Sequence, residues 1–196
     1  GRRSRGSDTP NYYQSAVDLA LTLYYNDGFE GVIGTPYDDT IKGNSRPNTI
    51  IAGAGDDTID GRAGDDILLG QDGEDLIEGG DDNDLIIGGA DDDELHGDWD
   101  DSRNANDDIL IGGDGRDELY GWDGKDLVDG GGDRDKINAG SGDDIVLGGN
   151  DRDKIRDDSG VDVIEGGEGR DRLPRGDEDR ILEQDRAAGA IGIQEY

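Results

Sequence analysis

An aliphatic residue recurs with a period of nine residues over most of this chain, from residue 34 to about residue 183. Sixteen units can be aligned on that period, with the aliphatic residue at the eighth place of each. An Asp precedes it by two residues, at the sixth place, in every unit except the second, where Asn48 stands instead. A fixed period of this kind predicts a repeat protein in which each unit adds one layer to a continuous core. The predicted core residues are Ile41, Ile50, Ile59, Leu68, Ile77, Ile86, Leu95, Leu110, Leu119, Val128, Ile137, Val146, Ile155, Ile164, Leu173 and Ile181.

The clearest units are GGDGRDELY at residues 112–120 and GWDGKDLVD at residues 121–129, with glycines ahead of the Asp. These residues resemble the RTX (haemolysin-type) calcium-binding nonapeptide, GGxGxDxUx. The resemblance implies an all-β fold, a parallel β-roll in which six residues of each unit turn and bind Ca²⁺ while three form a short strand. Two units then make one coil of a two-sheet right-handed β-solenoid, with 18 residues per coil and Ca²⁺-binding turns.

Calcium is expected to be part of this fold. Neighbouring coils of a roll are about 4.8 Å apart, so each sixth-place Asp lies near the Asp 18 residues away. Two such charges repel by about 0.9 kcal/mol even in bulk water, and a hard dication held by carboxylates and turn carbonyls reverses the sign of that interaction. We therefore expect an unfolded chain in calcium-poor cytoplasm and a folded chain outside, with roughly ten to fourteen Ca²⁺ bound. The predicted metal ligands are Asp39, Asp57, Asp66, Asp75, Asp84, Asp93, Asp108, Asp117, Asp126, Asp135, Asp144, Asp153, Asp162 and Asp171.

Composition narrows the class of protein. The chain has a net charge of −32, 36 glycines, one His and neither Cys nor Met, which excludes a disulfide scaffold and most redox or Cys-zinc chemistry. Its acidity argues against nucleic acid and anionic membranes as partners, and no apolar run approaches membrane-spanning length. No nucleophile motif is present, so no enzymatic activity is expected. The start of the chain carries no initiator Met or signal-peptide pattern, as expected of a mature product or an excised part of something longer.

Three regions are predicted along the chain. Residues 1–33 combine a basic arm with an apolar capping or pairing segment, residues 34–183 form the β-roll, and residues 184–196 form a C-terminal cap. The apolar segment between Tyr12 and Tyr25 is open to two interpretations. Its flanking residues fit a helix, whereas its apolar residues alternate as in a strand, which is slightly favoured.

Two departures from the repeat carry expectations of their own. Asp82, Asp91, Asp133 and Asp151 occupy the fourth place, where the family usually has a Gly with a left-handed backbone, a conformation that Asp tolerates. Six extra residues, GDWDDS at 97–102, are expected to leave the roll as a loop before RNANDDILI completes the eighth unit.

The outer faces of the two sheets are predicted to differ. The seventh and ninth places point outward, and odd and even units belong to opposite sheets. The odd units carry mainly polar residues there, whereas the even units carry an aliphatic stripe formed by Ile67, Leu69, Leu85, Ile87, Ile109, Ile111, Ile145 and Leu147. A soluble monomer seldom exposes so large an apolar surface, so a homo-oligomer or filament is expected to form through this stripe and the segment from Tyr12 to Tyr25.

Four arginines recur 18 residues apart in the later odd units: Arg116, Arg134, Arg152 and Arg170. Stacked cations repel one another, so they require acidic partners. Local pairing with Asp133, Asp151 and Glu168 is the favoured interpretation. The alternative partner is an anionic polysaccharide, by analogy with the alginate-modifying members of the family.

Three functions follow as hypotheses. The first is a secreted, calcium-dependent β-roll that self-associates into an extracellular structural assembly such as a filament, layer or matrix. The second is an RTX secretion and folding module of a larger exported enzyme or toxin, and the third is a carbohydrate-binding module. The resemblance further implies type I secretion from a Gram-negative bacterium, so the expected location is extracellular or at the bacterial cell surface.

Overall fold

The computed structural model describes residues 20–22, 31–98, 106–174, 180–185 and 190–194, which form β-strands and turns and no helix. None of these residues therefore belongs to a helix long and apolar enough to cross a membrane. The strands are β1 (Ala20–Thr22), β2 (Gly31–Ile33), β3 (Thr40–Lys42), β4 (Thr49–Ala54), β5 (Thr58–Ala63), β6 (Ile67–Asp72), β7 (Leu76–Asp81), β8 (Leu85–Ala90), β9 (Glu94–His96), β10 (Ile109–Asp114), β11 (Glu118–Asp123), β12 (Leu127–Gly132), β13 (Lys136–Ser141), β14 (Ile145–Gly149), β15 (Lys154–Arg156), β16 (Val163–Glu165), β17 (Arg180–Asp185) and β18 (Ala190–Gln194).

From β1 to β16 the strands alternate between two sheets, which confirms the predicted two-sheet β-solenoid of about 18 residues per turn. The odd sheet contains the strands of the odd units, in the order β1-β3-β5-β7-β9-β11-β13-β15. The even sheet has the order β18-β17-β16-β14-β12-β10-β8-β6-β4-β2. Each pairing from β1 to β17 is parallel, and equivalent places of neighbouring coils face one another, as Leu119 and Ile137 do. Every place of the nine-residue unit therefore forms a straight row along the roll.

The eighth-place residues form the core between the sheets, as predicted. From Ile41 to Ile164 they are at most 2% exposed, Ile181 is 9% exposed, and Leu173 is half-buried against the same cluster. Alternation along each strand directs the eighth-place side chain inward and its two neighbours outward. Val32, ahead of the first predicted unit, joins this core at 1% exposure.

Tight turns join the sheets, and their backbone conformation explains the glycines. At the fourth place, Gly115 has a φ of +141°, and a Cβ there would lie 2.0 Å from the carbonyl oxygen of Asp91. The expectation for fourth-place Asp is confirmed, since Asp82, Asp91, Asp133 and Asp151 have φ values of 76°, 80°, 66° and 69°. The second place is also left-handed, even for Arg62, Gln71 and Trp122, with φ values of 83°, 91° and 77°. That feature was not predicted from the sequence.

The six-residue insertion begins later than predicted. The Gly97 amide donates to the Tyr120 carbonyl at 2.9 Å, a bond that first-place residues such as Gly43 make, so Gly97 belongs to the coil. The backbone amide of Asn106 donates to the Asp123 carbonyl at 3.1 Å, as the backbone amide of the fourth-place Gly124 does to the Ser141 carbonyl. Placing the insertion at residues 97–102 was therefore wrong. Gly97 and Asp98 fill the first two places of the eighth unit, and the extra residues fall within 99–105, outside the described residues.

Additional strands extend both ends of the roll. β2 pairs with β4 in the even sheet, one coil ahead of the second unit, so the parallel ladder begins before Gly34. β1 pairs with β3 and places Leu21 opposite Ile41, which gives the strand conformation to Ala20–Thr22. The rest of the segment from Tyr12 to Tyr25 lies outside the described residues. At the other end, β18 pairs antiparallel with β17 and covers the edge of the even sheet.

Candidate calcium sites

The sixth-place carboxylates form two rows inside the turns, one row along each edge of the roll. We call these rows the inner carboxylates. The thirteen predicted ligands from Asp39 to Asp162 are at most 3% exposed, and Asp171 at the C-terminal end is half-buried. The odd turns hold Asp39, Asp57, Asp75, Asp93, Asp117, Asp135, Asp153 and Asp171, and the even turns hold Asp66, Asp84, Asp108, Asp126, Asp144 and Asp162.

One oxygen of every inner carboxylate except Asp39 joins two coils. Oδ1 of Asp117 accepts a hydrogen bond from the backbone amide of Asp93 at 2.9 Å, and Oδ1 of Asp135 accepts one from Asp117 at 3.0 Å. The same bond recurs along both rows at 2.6 to 3.1 Å. The backbone amide of each sixth-place residue from Asp39 to Asp153 is thus satisfied by the carboxylate of the next coil.

In twelve of the fourteen inner carboxylates, the second oxygen is buried and accepts no hydrogen bond. It lies against the first place of the same unit, where a Cβ on Gly112 would be 2.3 Å from Oδ2 of Asp117. A buried carboxylate oxygen without a donor is costly unless a cation satisfies it. The residues with such an Oδ2 are Asp57, Asp66, Asp75, Asp84, Asp93, Asp108, Asp117, Asp126, Asp135, Asp144, Asp153 and Asp162.

The pKa values of eleven of these carboxyl groups, all except Asp162, reflect the same lack of hydrogen-bond donors. Burial is the main cause that raises their pKa, and neighbouring carboxylates add to the shift at most of these sites, whereas the hydrogen bond from the backbone amide opposes it. Burial raises the pKa to about 6 for Asp75, Asp117, Asp144 and Asp153, about 7 for Asp57, Asp66 and Asp108, about 8 for Asp93, Asp126 and Asp135, and about 9 for Asp84. At neutral pH the protein groups alone do not stabilise these charges.

The first two units differ from the others. The Thr35 amide donates to Oδ2 of Asp39 at 2.6 Å and the Thr35 hydroxyl donates to Oδ1 at 3.0 Å, so protein donors satisfy this carboxylate. In the second unit, Oδ1 of Asn48 accepts a hydrogen bond from the backbone amide of Asn44 at 2.9 Å. In the same two units, Tyr37 and Arg46 occupy the fourth place, where most other units have Gly or Asp. Of the predicted ligands, Asp39 therefore fits a metal least.

Two acidic residues that the sequence analysis did not select join the inner carboxylates. Asp98, at the second place of the eighth unit, is 2% exposed and accepts a hydrogen bond from Asn106 Nδ2 at 2.7 Å. Its charge contributes to raising the pKa of Asp108. Asp157, at the first place of its unit, lies with Asp144 and Asp162 so that one oxygen of each is within 4.8 Å of the others. An acidic residue at a place usually held by Gly was the signal that could have identified both.

These features fit Ca²⁺, which takes several hard oxygen ligands in flexible geometry. The roll supplies regularly spaced carboxylate oxygens that lack protein donors, together with the carbonyl groups of the turns. The cation would neutralise charge that the fold has removed from water.

Comparison with protein families agrees with this geometry. Four copies of the RTX calcium-binding nonapeptide repeat model match the chain, at residues 33–68, 69–103, 104–137 and 138–173. None of the curated proteins compared with the chain matches it. Repeats of this kind bind calcium, generally in structural or binding roles, and are typical of secreted bacterial proteins. Because the matches cover well over half of the sequence, the chain belongs to the RTX calcium-binding nonapeptide repeat family.

Proposed function

We propose that this β-roll folds when calcium binds to the inner carboxylates, and that the folded roll self-associates outside the cell through the outer face of its even sheet. The assembly is a structural one, a filament, layer or matrix. The exposed aliphatic stripe on the even sheet is the observation that carries the proposal of self-association. The buried Oδ2 atoms without donors carry the proposal of calcium-dependent folding.

Calcium-dependent folding has a direct electrostatic reason. Without a cation, folding would bury two rows of carboxylates and would require either protonation or uncompensated charge. Extracellular calcium modules bind with dissociation constants on the order of 0.1 to 1 mM, so such sites fill outside the cell and stay empty in cytoplasm. The family's typical occurrence in secreted bacterial proteins supports the extracellular location.

The even face exposes large aliphatic side chains in a straight row. Ile67, Ile109, Leu127 and Ile145 are 41%, 38%, 36% and 48% exposed, and strand pairing aligns them across neighbouring coils. With strands about 4.8 Å apart, the row from Ile67 to Ile145 spans about 19 Å. A parallel row of half-buried ninth-place residues includes Leu69, Ile87, Ile111 and Leu147, interrupted by Asp129. The even face of a second copy has the same length and the same flat apolar rows, so it can pack against this face.

The outer face of the odd sheet offers no such surface. Its outward residues include Lys42 and Asp60, which pair at 2.8 Å, and Glu118, which pairs with Lys136. The described part of the N-terminal segment, Ala20–Thr22, extends the odd sheet, so these three residues leave the even face uncovered. Self-association through the even face is therefore favoured over intramolecular covering by that strand.

The experiment compares assembly of three chains in calcium by light scattering and electron microscopy. The wild-type chain is expected to form large particles, and Ile109→Lys with Ile145→Lys is expected to abolish them. Lys is compatible with the seventh place, since Lys136 and Lys154 occupy it in the odd sheet. Thr58→Lys on the odd face is the matched control and should assemble like the wild type. A monomeric wild-type chain, or equal assembly of all three, contradicts the proposal.

A further inference from the structure

The tips of the odd turns carry a row of residues that changes once along the roll, from acidic to basic. We call this row of fifth-place residues the odd rim. Seven of its eight residues are exposed, and Asp92 is half-buried. The row consists of four acidic residues followed by four basic ones: Asp38, Asp56, Glu74, Asp92, Arg116, Arg134, Arg152 and Arg170.

The opposite rim shows that the fold itself does not require this order. The fifth places of the even units mix charge and chemistry, with Pro47, Asp65, Asn83, Asp107, Lys125, Asp143 and Val161 in sequence. The adjacent opposite charges on that rim, Lys125 and Asp143, pair at 2.7 Å within the chain. The odd rim places like charges next to each other and so excludes such pairing over most of its length.

Three of the four arginines in the basic half of the odd rim lack an ion-pair partner among the described residues. Arg116 pairs with Asp92 at 2.6 Å, where the acidic and basic halves meet. Arg134, Arg152 and Arg170 form no ion pair within 4.0 Å among the described residues. The local pairing predicted with Asp133 and Asp151 was therefore wrong, because these Asp side chains do not reach the guanidinium groups. Three stacked arginines, about 4.8 Å apart, remain open to an external anion.

The outer face of the odd sheet has the same order of charge, with acidic residues nearer the middle of the roll and basic residues at the end. Lys136, Lys154 and Arg172 align at the seventh place beside the basic half of the rim. Glu94 and Glu118 align at the same place nearer the middle of the roll. In a chain with a net charge of −32, this segregation produces one basic end on one edge.

We propose that the odd rim is a self-complementary interface, through which two copies of the folded chain pair side by side in antiparallel orientation. A two-fold axis at the junction between Asp92 and Arg116 sets Glu74 opposite Arg134 of the second copy. Asp56 and Asp38 then lie opposite Arg152 and Arg170 of that copy, and the relation repeats in reverse. Such an interface is isologous, so it closes as a dimer. Both halves have the strand spacing of the same roll, so their charges match in register.

This interface rests on the calcium-bound fold and is independent of the even face. The two interfaces respond differently to salt, because exposed ion pairs are screened whereas apolar contacts are not. The test therefore uses a chain carrying Ile109→Lys and Ile145→Lys, in which the even face is disabled. Dimerisation of that chain is measured by sedimentation equilibrium in millimolar calcium, at about 50 mM and about 500 mM NaCl.

Charge reversal on this background gives the decisive comparison. The acidic variant carries Arg134→Glu, Arg152→Glu and Arg170→Glu, and the basic variant carries Asp38→Arg, Asp56→Arg and Glu74→Arg. Each introduced residue type already occupies fifth places elsewhere on the odd rim, so the fold accepts it. Circular dichroism in calcium checks that both variants are folded.

The background chain is expected to dimerise at the lower salt and dissociate at the higher. Each variant alone should dimerise at least tenfold more weakly, and an equimolar mixture should restore dimers, because an acidic rim then faces a basic one. Lys125→Glu on the even rim is the control and should leave the dimer intact. A monomeric background chain, or dimers of either variant alone as strong as before, overturns the proposal. Retention of that monomer on heparin, lost in the acidic variant, would instead assign the basic half to an anionic polysaccharide.

Discussion

Asp92 and Asp93 are adjacent in the sequence, yet the fold gives their carboxylates opposite surroundings. Asp92 belongs to the exposed rim, where hydrogen bonds from the Arg116 backbone and side chain lower its pKa. Asp93 belongs to the inner carboxylates, where burial raises its pKa to about 8. Both carboxylates accept a hydrogen bond from a backbone amide, but Asp92 also meets the Arg116 guanidinium, whereas Asp93 otherwise meets other acids. The comparison shows that an acidic residue is suited to calcium when its carboxylate is buried inside a turn, and that an acidic side chain alone is not sufficient.

Replacing inner carboxylates should have the largest effect. Asp93→Asn with Asp117→Asn keeps the shape and the Oδ1 acceptor but removes the charge from two neighbouring odd turns. Calcium affinity of the sites they share is expected to fall at least tenfold, equivalent to about 1.4 kcal/mol per site. Isothermal calorimetry should show fewer bound ions, and the thermal midpoint in calcium should fall. An unchanged number of ions would show that these carboxylates are not ligands.

Acid should act on the calcium-free chain in the direction opposite to ordinary acid denaturation. The pKa of eleven inner carboxylates lies at about 6 to 9 in the fold and at 3.8 ordinarily, so the folded state binds more protons between those values. Stability of the calcium-free roll is therefore greatest below about pH 4 and is lost as pH rises through 6 to 9. Circular dichroism in chelator should show β-structure increasing as pH falls from 8 to about 4. A constant or decreasing signal would contradict the inferred burial.

Replacing a rim carboxylate should have the smallest effect. Asp92→Asn removes the charge opposite Arg116 and keeps an oxygen for the Arg116 amide. Exposed ion pairs contribute about 0 to 1 kcal/mol, so the thermal midpoint in calcium should change little. The number of bound calcium ions should stay the same. A loss of stability as large as that of the inner pair would mean that the two kinds of carboxylate act alike.

Most of the fold could be predicted because strict repetition supplies the same information many times. Burial of Ile41 or Leu119 follows from the period alone, since each aliphatic residue occupies an inward place in a parallel stack. The left-handed Asp82 and Asp133 were also predictable, because few other residues accept that backbone.

The interruptions were harder to predict. Gly97 and Asp98 were assigned to the insertion because the sequence allows the extra residues on either side of them, and only the backbone hydrogen bonds settle the register. For the arginines, the sequence analysis favoured local pairing and gave an external anion only as the alternative. Arg134 is next to Asp133 in sequence, but no ion pair within 4.0 Å joins their side chains. The contribution of Asp98 to the even turns likewise depends on where the insertion begins.

The most direct test of the central claim is far-ultraviolet circular dichroism of the intact chain at pH 7.5, first in EGTA and then with excess calcium. Because the inner carboxylates lack protein donors, the chain should be largely unfolded in EGTA. It should gain its β-structure cooperatively as calcium is added, and magnesium at the same concentration should not replace calcium. A full β-sheet spectrum in EGTA that calcium leaves unchanged would contradict the account.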